Sequence, residues 1–336
     1  MSNVAMLERS VAAEPAGDSD EFAYIDEIFD IEVPKASREA ARIRVTARSE
    51  DTPDRNPHYV VTKDAIRCAQ QWINSDARKN VKKLNFMLTG PTGSGKTTLV
   101  EQISSRCGWG VVKISCHGQM ELGDLIGNRV LDENGGMVWA DGPVIRAMRE
   151  GKIALFDEMN FLQPEIVGGL NTILDGGSYY IAQTGERVNP HINFRIAATG
   201  NALNGVDTAK YRGVKRQNDA LLDRFLLGLE LDYLDRVTEE AILSAMYPNL
   251  QAGTIKVMMD VVTATRNAQK NTELGVAIST RVLLDGWAMN VHRAGNDPKK
   301  QLETLLPALK RCMLFRVPAD DRIKIEAALE GVLKRK

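Results

Sequence analysis

The eight residues Gly90-Pro91-Thr92-Gly93-Ser94-Gly95-Lys96-Thr97 restrict the fold of this chain more than any other stretch. They match G-x-x-x-x-G-K-[ST] at every fixed position. An apolar run (Phe86, Met87, Leu88) precedes them, as a buried parallel strand would, and helix-compatible residues (Leu99, Val100, Glu101, Gln102, Ile103) follow. Strand, Gly-rich turn and helix are the context in which this pattern cradles phosphate. Gly90, Gly93 and Gly95 let backbone N–H groups curl around phosphate oxygens without a Cβ in the way. A helix starting near Lys96 adds the positive end of its dipole, with Thr98 in its first turn. Lys96 is placed to reach the β- and γ-phosphates, and the Thr97 hydroxyl to ligate Mg²⁺.

The 336 residues suffice for roughly two domains. A hydrophobic content of 43% and a charged content of 26% are ordinary for a globular protein. The net charge of −1 supplies no global basic field for nucleic acid or acidic lipid. No apolar run approaches the ~18 residues of a membrane span. The N-terminus lacks a basic region followed by an apolar one, which argues against secretion. Cys68, Cys107, Cys116 and Cys312 are scattered, as are His58, His117, His191 and His292, so neither set has metal-ligand spacing. Free thiols in a reducing compartment are the default reading.

Residues 1–40 carry ten acidic and three basic side chains, and the first 20 have a disordered composition. Phe22 to Phe29 is a short amphipathic island, either a docking element reaching to Pro34 or a strap on its own domain. Pro53 and Pro57 break any helix in the linker that follows. Ala65–Ser75 reads as helix and leads into Arg78, Lys79, Lys82 and Lys83, a solvated helix end or a basic patch. Val111–Ser115, Ile153–Phe156, Phe194–Ala198 and Phe225–Leu231 read as further strands. Strands alternating with helical spacers predict an α/β fold with a parallel sheet and right-handed crossovers. After Asp235 the chain reads as helices over 238–246, 254–269, 279–293, 300–315 and 319–333. The expected organisation is an acidic segment over 1–50, an α/β nucleotide-binding domain over 51–235 and a small all-α lid over 236–336.

The third strand ends in Asp157-Glu158, roughly sixty residues after the phosphate loop. Ligands bind at the carboxyl edge of open α/β sheets. There Asp157 would hold Mg²⁺ through water and Glu158 would polarise an attacking water. The bland alternative is an ordinary strand end. Asn201, after the fourth strand, reads as a γ-phosphate or water ligand, or as an Asx-turn residue. Arg224 stands where a helix meets the last strand. It reads as a cation offered in trans to a transferring phosphoryl group, or as a salt-bridge partner of Asp223 or Asp219. Arg281 opens a helix capped by Ser279, facing the cleft or simply exposed. Arg129–Trp139 and Ser178–Val188 look like hairpins, the first around Asn134-Gly135-Gly136. They are either surface hairpins or loops that touch a target.

With these residues together, the chain resembles the AAA+ ATPases, and within them the MoxR group. Gly90–Thr97 corresponds to Walker A, Ile153–Glu158 to Walker B, Asn201 to sensor 1, Arg224 to the arginine finger and Arg281 to sensor 2. Leu125-Ile126-Gly127 with its hairpin and Asp141-Gly142-Pro143 is similar to the group's helix-2 insert. Asp157-Glu158-Met159-Asn160 is similar to its Asp-Glu-Ile-Asn signature. Phe22–Pro34, the spacing from Asn56-Pro57-His58-Tyr59 to the loop, and the overall length resemble the CobS-type branch. The resemblance implies a P-loop AAA+ sheet with inserted hairpins and a helical lid, binding ATP through Gly90 to Thr98 and Arg281. It implies Mg²⁺ at Thr97 and Asp157, and catalysis by Glu158, Asn201 and Arg224. It further implies a homo-oligomeric ring, usually a hexamer, in the cytoplasm (of a host, if phage-encoded), acting on a protein target with a partner carrying a von Willebrand factor A (VWA) domain. The ATPase subunit of a cobaltochelatase is an alternative. A nucleic-acid-directed motor or a weakly active ring scaffold is another, against which the near-neutral charge speaks.

Overall fold

The computed structural model describes residues 21–75, 83–133, 135–201 and 219–335. Strand β1 (Glu21–Tyr24) runs into α1 (Ile25–Phe29) and pairs antiparallel with β2 (Arg42–Val45). Ile25, Phe29 and Ile43 are buried in the same cluster as Trp72, Phe86 and Ile103. Ile25 and Phe29 thus pack on the α/β domain, as a strap would, while Phe22 at the start of the stretch is 40% exposed. The basic residues 78, 79 and 82 lie outside the described residues. Lys83 donates to the His191 carbonyl at 2.9 Å.

The next helix, α2 (Lys63–Asn74), is capped by Thr62, whose hydroxyl accepts from the Ala65 amide at 3.3 Å. There follow β3 (Phe86–Thr89), α3 (Lys96–Cys107), β4 (Val111–Ser115), α4 (Leu122–Ile126), β5 (Gly127–Leu131), β6 (Met137–Asp141), α5 (Pro143–Glu150) and β7 (Ile153–Asp157). Then come α6 (Pro164–Gly169), α7 (Asn171–Leu174), β8 (Tyr179–Ile181), β9 (Glu186–Val188), β10 (Arg195–Gly200), α8 (Asp219–Leu222) and β11 (Leu227–Glu230). Five of these strands form one sheet in the order β11-β3-β10-β7-β4. Every neighbouring pair is parallel.

Period-two alternation sorts the strand side chains between two cores. Phe86, Leu88, Ile153, Leu155 and Ala197 face α2, α3 and the strap. Met87, Ala154, Phe156, Ile196 and Ala198 face Ile145, Met148, Leu170 and Leu174. A sheet covered on both faces needs such near-continuous apolar strands. Arg195 is buried at the start of the central strand. Its guanidinium donates to the carbonyls of Trp72 (3.2 Å) and Ile73 (2.6 Å), closing the C-terminal end of α2. The β5–β6 and β8–β9 pairs are the two hairpins.

From Asp235 onward the described chain is helical. Asp235 caps α9 (Arg236–Met246), accepting from the Thr238 amide at 3.0 Å. Next come α10 (Ala252–Lys270), α11 (Met289–His292), α12 (Pro298–Cys312) and α13 (Ala319–Lys334). Their core centres on Met258, Val262, Trp287, Leu305, Leu309 and Ile325. The helix expected over 279–293 is π-helical across Val282–Ala288 before it becomes α11. The widened turn frees carbonyls, which side chains satisfy: Tyr247 donates to Leu284 O at 2.8 Å and Asn290 to Gly286 O at 2.7 Å.

Candidate nucleotide site

Strands β3, β10 and β7 lie side by side and end at one edge. That edge receives Gly90 from β3, Asn201 from β10, and Asp157 with Glu158 from β7. Thr199 pairs with Leu88, and Ala198 with Phe156, so the three ends are in register to within a residue or two. Sheet order alone thus brings together groups more than a hundred positions apart in sequence.

Gly90, Gly93 and Gly95 all have positive φ (137°, 77° and 91°), a region costly for side-chain-bearing residues. A Cβ on Gly90 would run into the Leu231 carbonyl, and one on Gly93 would stand 2.7 Å from Ser279 Oγ. Helix α3 begins at Lys96, so its open N-terminal amides face the loop.

Lys96 is buried, and its Nζ donates to Gly90 O (3.0 Å), Pro91 O (3.0 Å) and Asn201 Oδ1 (2.7 Å). Burial pushes its pKa down to about 8, opposed by the charges of Glu158 and Asp157 and reinforced by that of Arg281. All three acceptors are neutral. Triphosphate oxygens would supply the negative charge that this ammonium lacks.

Thr97 Oγ1 donates to Asp157 Oδ1 at 2.6 Å, and Thr199 Oγ1 donates to the same oxygen at 2.8 Å. Thr199 Oγ1 also accepts from the Glu158 amide at 2.9 Å. Lys113 Nζ stands 3.4 Å from Asp157 Oδ2. Glu158 adopts the left-handed conformation (φ 58°, ψ 48°), a strain of the kind that collects at functional sites. Its Oε1 accepts from Asn201 Nδ2 at 3.2 Å. A hydroxyl and a carboxylate in contact are a hard-oxygen pair that suits Mg²⁺, with a second carboxylate beside them. The residues present fit Mg²⁺ and a triphosphate.

Beside the loop, a cavity of about 370 Å³ is lined by Asn56, His58 and Tyr59, by Leu229 to Asp235, and by Thr280, Arg281 and Leu284. Two tyrosines that line this cavity donate to loop carbonyls: Tyr59 to Gly95 O at 3.3 Å and Tyr233 to Thr92 O at 3.2 Å. Burial raises the Tyr59 pKa, so this hydroxyl stays a donor.

Of the residues singled out in the sequence, Gly90 to Thr98, Asp157, Glu158 and Asn201 converge here. Arg281 reaches the loop through its backbone, its N–H pointing to Gly93 O at 3.4 Å. Its guanidinium is exposed on the cavity rim. Arg224 does not join this cluster. It faces Asp175, with Nε 3.2 Å from Oδ1, a partner not considered from sequence; the Asp219 side chain lies outside the described residues. Thr199, Lys113 and Tyr233 were not singled out in the sequence, and Tyr59 entered there only as the end of Asn56–Tyr59, with no role at the loop. Thr199 left a trace as a hydroxyl in an otherwise apolar strand two positions before Asn201.

This fold and cluster define a P-loop nucleotide-binding protein of the AAA+ architecture. A family model, the AAA domain of the dynein-related subfamily, matches residues 85–225. The aerobic cobaltochelatase subunit CobS of a Sinorhizobium species is 26% identical over 266 residues, covering 76% of this chain and 78% of CobS. An uncharacterized protein of Staphylococcus saprophyticus is 34% identical over 210 residues, covering 60% of this chain and 76% of that protein. Among solved structures, a Thermotoga maritima RuvB mutant superposes with a TM-score of 0.50 at 14% identity, over 74% of this chain and 71% of RuvB, a likeness of fold. The chain belongs to the AAA domain family, dynein-related subfamily, and is an AAA+ ATPase of the MoxR and CobS type. Membership implies ATPase activity with bound nucleotide and Mg²⁺. Among the described residues, no helix is long and apolar enough to cross a membrane.

Proposed function

We propose that this chain is the Mg-ATP-hydrolysing subunit of a ring, usually six-membered in this group, that remodels a target protein together with a VWA-domain partner. The observation that carries the reading is the chain of contacts Lys96–Asn201–Glu158 beside Thr97–Asp157, built from three adjacent strand ends. Gly90 to Thr98 and Arg281 bind and orient the triphosphate. Thr97 and Asp157 would hold Mg²⁺, which would offset charge on the phosphates. Glu158 takes the proton of the attacking water, and Asn201 aligns that water and senses the γ-phosphate. Arg224, away from its own subunit's loop, serves the nucleotide of a neighbour. The described residues contain no membrane-spanning helix, in keeping with a cytoplasmic protein.

A second reading, the motor subunit of a cobaltochelatase-like metal chelatase, is favoured by the likeness to CobS across most of both chains. The distinguishing observation is a genomic neighbourhood with chelatase-like large and VWA subunits.

The test uses Glu158→Gln. It should bind ATP without turning it over and accumulate as an oligomer whose mass is read by light scattering. Whatever stays bound to this trapped form in a pull-down identifies the target. A protein that stays monomeric in saturating Mg-ATP, yet hydrolyses at the full rate, would overturn the reading.

A further inference from the structure

Arg224 is held by a device that the catalytic cluster does not use. Its Nη1 donates to Ala220 O at 2.5 Å, within α8. Its buried Nε faces Asp175 Oδ1 across 3.2 Å, an ion pair without the alignment of a hydrogen bond. Nη2 has no contact of this kind among the described residues. Asp175 is the residue that ends α7.

Beneath this pair lies Asn85, buried just before β3. Its Nδ2 donates to Leu174 O at 2.8 Å and to Arg224 O at 2.9 Å. One amide thus pins the end of α7 and the backbone of Arg224 to each other. It also pins both to the strand that leads into the phosphate loop. A buried amide bridging two carbonyls is a rigid joint, because losing it strands two acceptors. The fork therefore starts from a fixed backbone point and is steered by a carboxylate on a second fixed point.

We infer that Asp175 and Asn85 are positioning residues for Arg224: they aim the guanidinium outward from the subunit edge, and Asn85 ties that aim to the subunit's own phosphate loop. The inference rests on the reading of Arg224 as the arginine acting on a neighbour's nucleotide. An acidic residue whose only task was local stability would be worth little here. Asp175 is half exposed, and exposed pairs contribute little by themselves. Aim is different, since a misplacement of about 1 Å can cost on the order of 100-fold in rate.

The test is directional complementation. Asp175→Ala should lower kcat about tenfold or more at nearly unchanged KM for ATP, and Asp175→Glu should recover part of it. Mixed with Lys96→Ala subunits, which have an intact Arg224, Asp175→Ala should regain activity in its own pocket. Mixed with Arg224→Ala subunits it should not. Wild-type turnover by Asp175→Ala, faster turnover, or a loss that Lys96→Ala subunits restore for Arg224→Ala but not for Asp175→Ala, would each overturn the inference. Should Lys96→Ala fail to rescue Arg224→Ala itself, the reading of Arg224 falls and this inference falls with it. Asn85→Ala strands buried carbonyls and risks unfolding the strand, so the decision is left to Asp175.

Discussion

Asn201 stands between Lys96 and Glu158, its Oδ1 accepting from the ammonium at 2.7 Å and its Nδ2 donating to the carboxylate at 3.2 Å. One side-chain amide thereby bridges the cation proposed to grip phosphate and the carboxylate proposed to activate water. Asn201→Ala should leave ATP binding within a few-fold of wild type. It should lower turnover by about 10²–10³, the range for removing one preorganised polar group from a reaction centre. Steady-state hydrolysis alongside fluorescent-nucleotide titration separates the two. Lys96→Ala should instead abolish binding.

The phosphate loop and the lid touch at Gly93. A Cβ there would meet Ser279 Oγ at 2.7 Å and Ser279 Cβ at 2.8 Å, and φ is 77°. Gly93→Ala should therefore strain the loop and push the lid's 278–281 segment away, weakening ATP binding by about tenfold or more. Gly176 is the control: its φ is 81°, but a Cβ there meets nothing within 4 Å. Gly176→Ala carries the same kind of backbone strain and should leave ATP affinity unchanged.

What could be read from the sequence, and what could not, divides along physical lines. The phosphate loop was legible because its chemistry is local: glycines, lysine and threonine act within eight consecutive positions. The parallel sheet was legible because strands covered on both faces must be apolar throughout. Asp157 and Asn201 were legible as strand ends, and their meeting followed from strand order. Arg195 was not, because a buried cation that closes a helix 120-odd positions earlier leaves no periodic trace. Nor were the loop contacts of Tyr59 and Tyr233, which depend on tertiary packing. The stretch 22–29 stayed ambiguous because an amphipathic segment looks the same whether its own domain or a partner covers it.

The lid is organised by a buried ion pair. Glu239 is fully buried, accepts two hydrogen bonds from Arg266 (2.8 and 2.9 Å), and accepts a third from Thr280 Oγ1 (2.6 Å). Arg266 also holds Ile278 O at 3.0 Å and lies 4.3 Å from the ring centroid of Tyr233, whose hydroxyl is on the phosphate loop. Glu239→Ala leaves a buried guanidinium uncompensated and should destabilise the lid by about 3–5 kcal/mol. Glu239→Gln, which keeps the shape and some of the acceptors, should cost less. Calorimetric unfolding of both variants against the wild type measures these costs, and a Glu239→Gln variant as stable as the wild type would remove the charge from the argument.

Burial pushes the thiols of Cys107 and Cys116 up to about 12. In the unfolded chain the same groups ionise near about 8.5. A folded pKa above the unfolded one means that the stabilisation is complete below about pH 8.5 and is lost as pH rises from there toward 12. Stability should accordingly fall with alkali above about pH 8.5. Substituting either buried cysteine by Ala should flatten that slope, while introducing a packing defect visible at neutral pH. At pH 8 both thiols should react with an alkylating reagent only as fast as the protein opens.

Arg149, at the end of α5, binds both hairpins at once. It donates to Asp141 of β6 at 2.7 Å and makes paired bonds to Glu186 of β9 at 2.5 and 2.7 Å, while Arg129 of β5 donates to Gln183 O at 2.9 Å. Glu186 holds the Arg149 pKa up, and Arg149 in turn pulls the Glu186 carboxyl down. The side chains are 34% and 46% exposed, so solvent screens the pair, and a double-mutant cycle should return about 1 kcal/mol or less. Mobility should respond more strongly than stability. Hairpin 1 leads through α5 into the Asp157 strand, and hairpin 2 leads into the Asn201 strand. A tie between the hairpins therefore joins the two strands' upstream connections, away from the nucleotide edge. Arg149→Ala should raise amide exchange in residues 127–141 and 179–188 together, with β7 and β10 still protected. Faster exchange in one hairpin alone would show that they move separately.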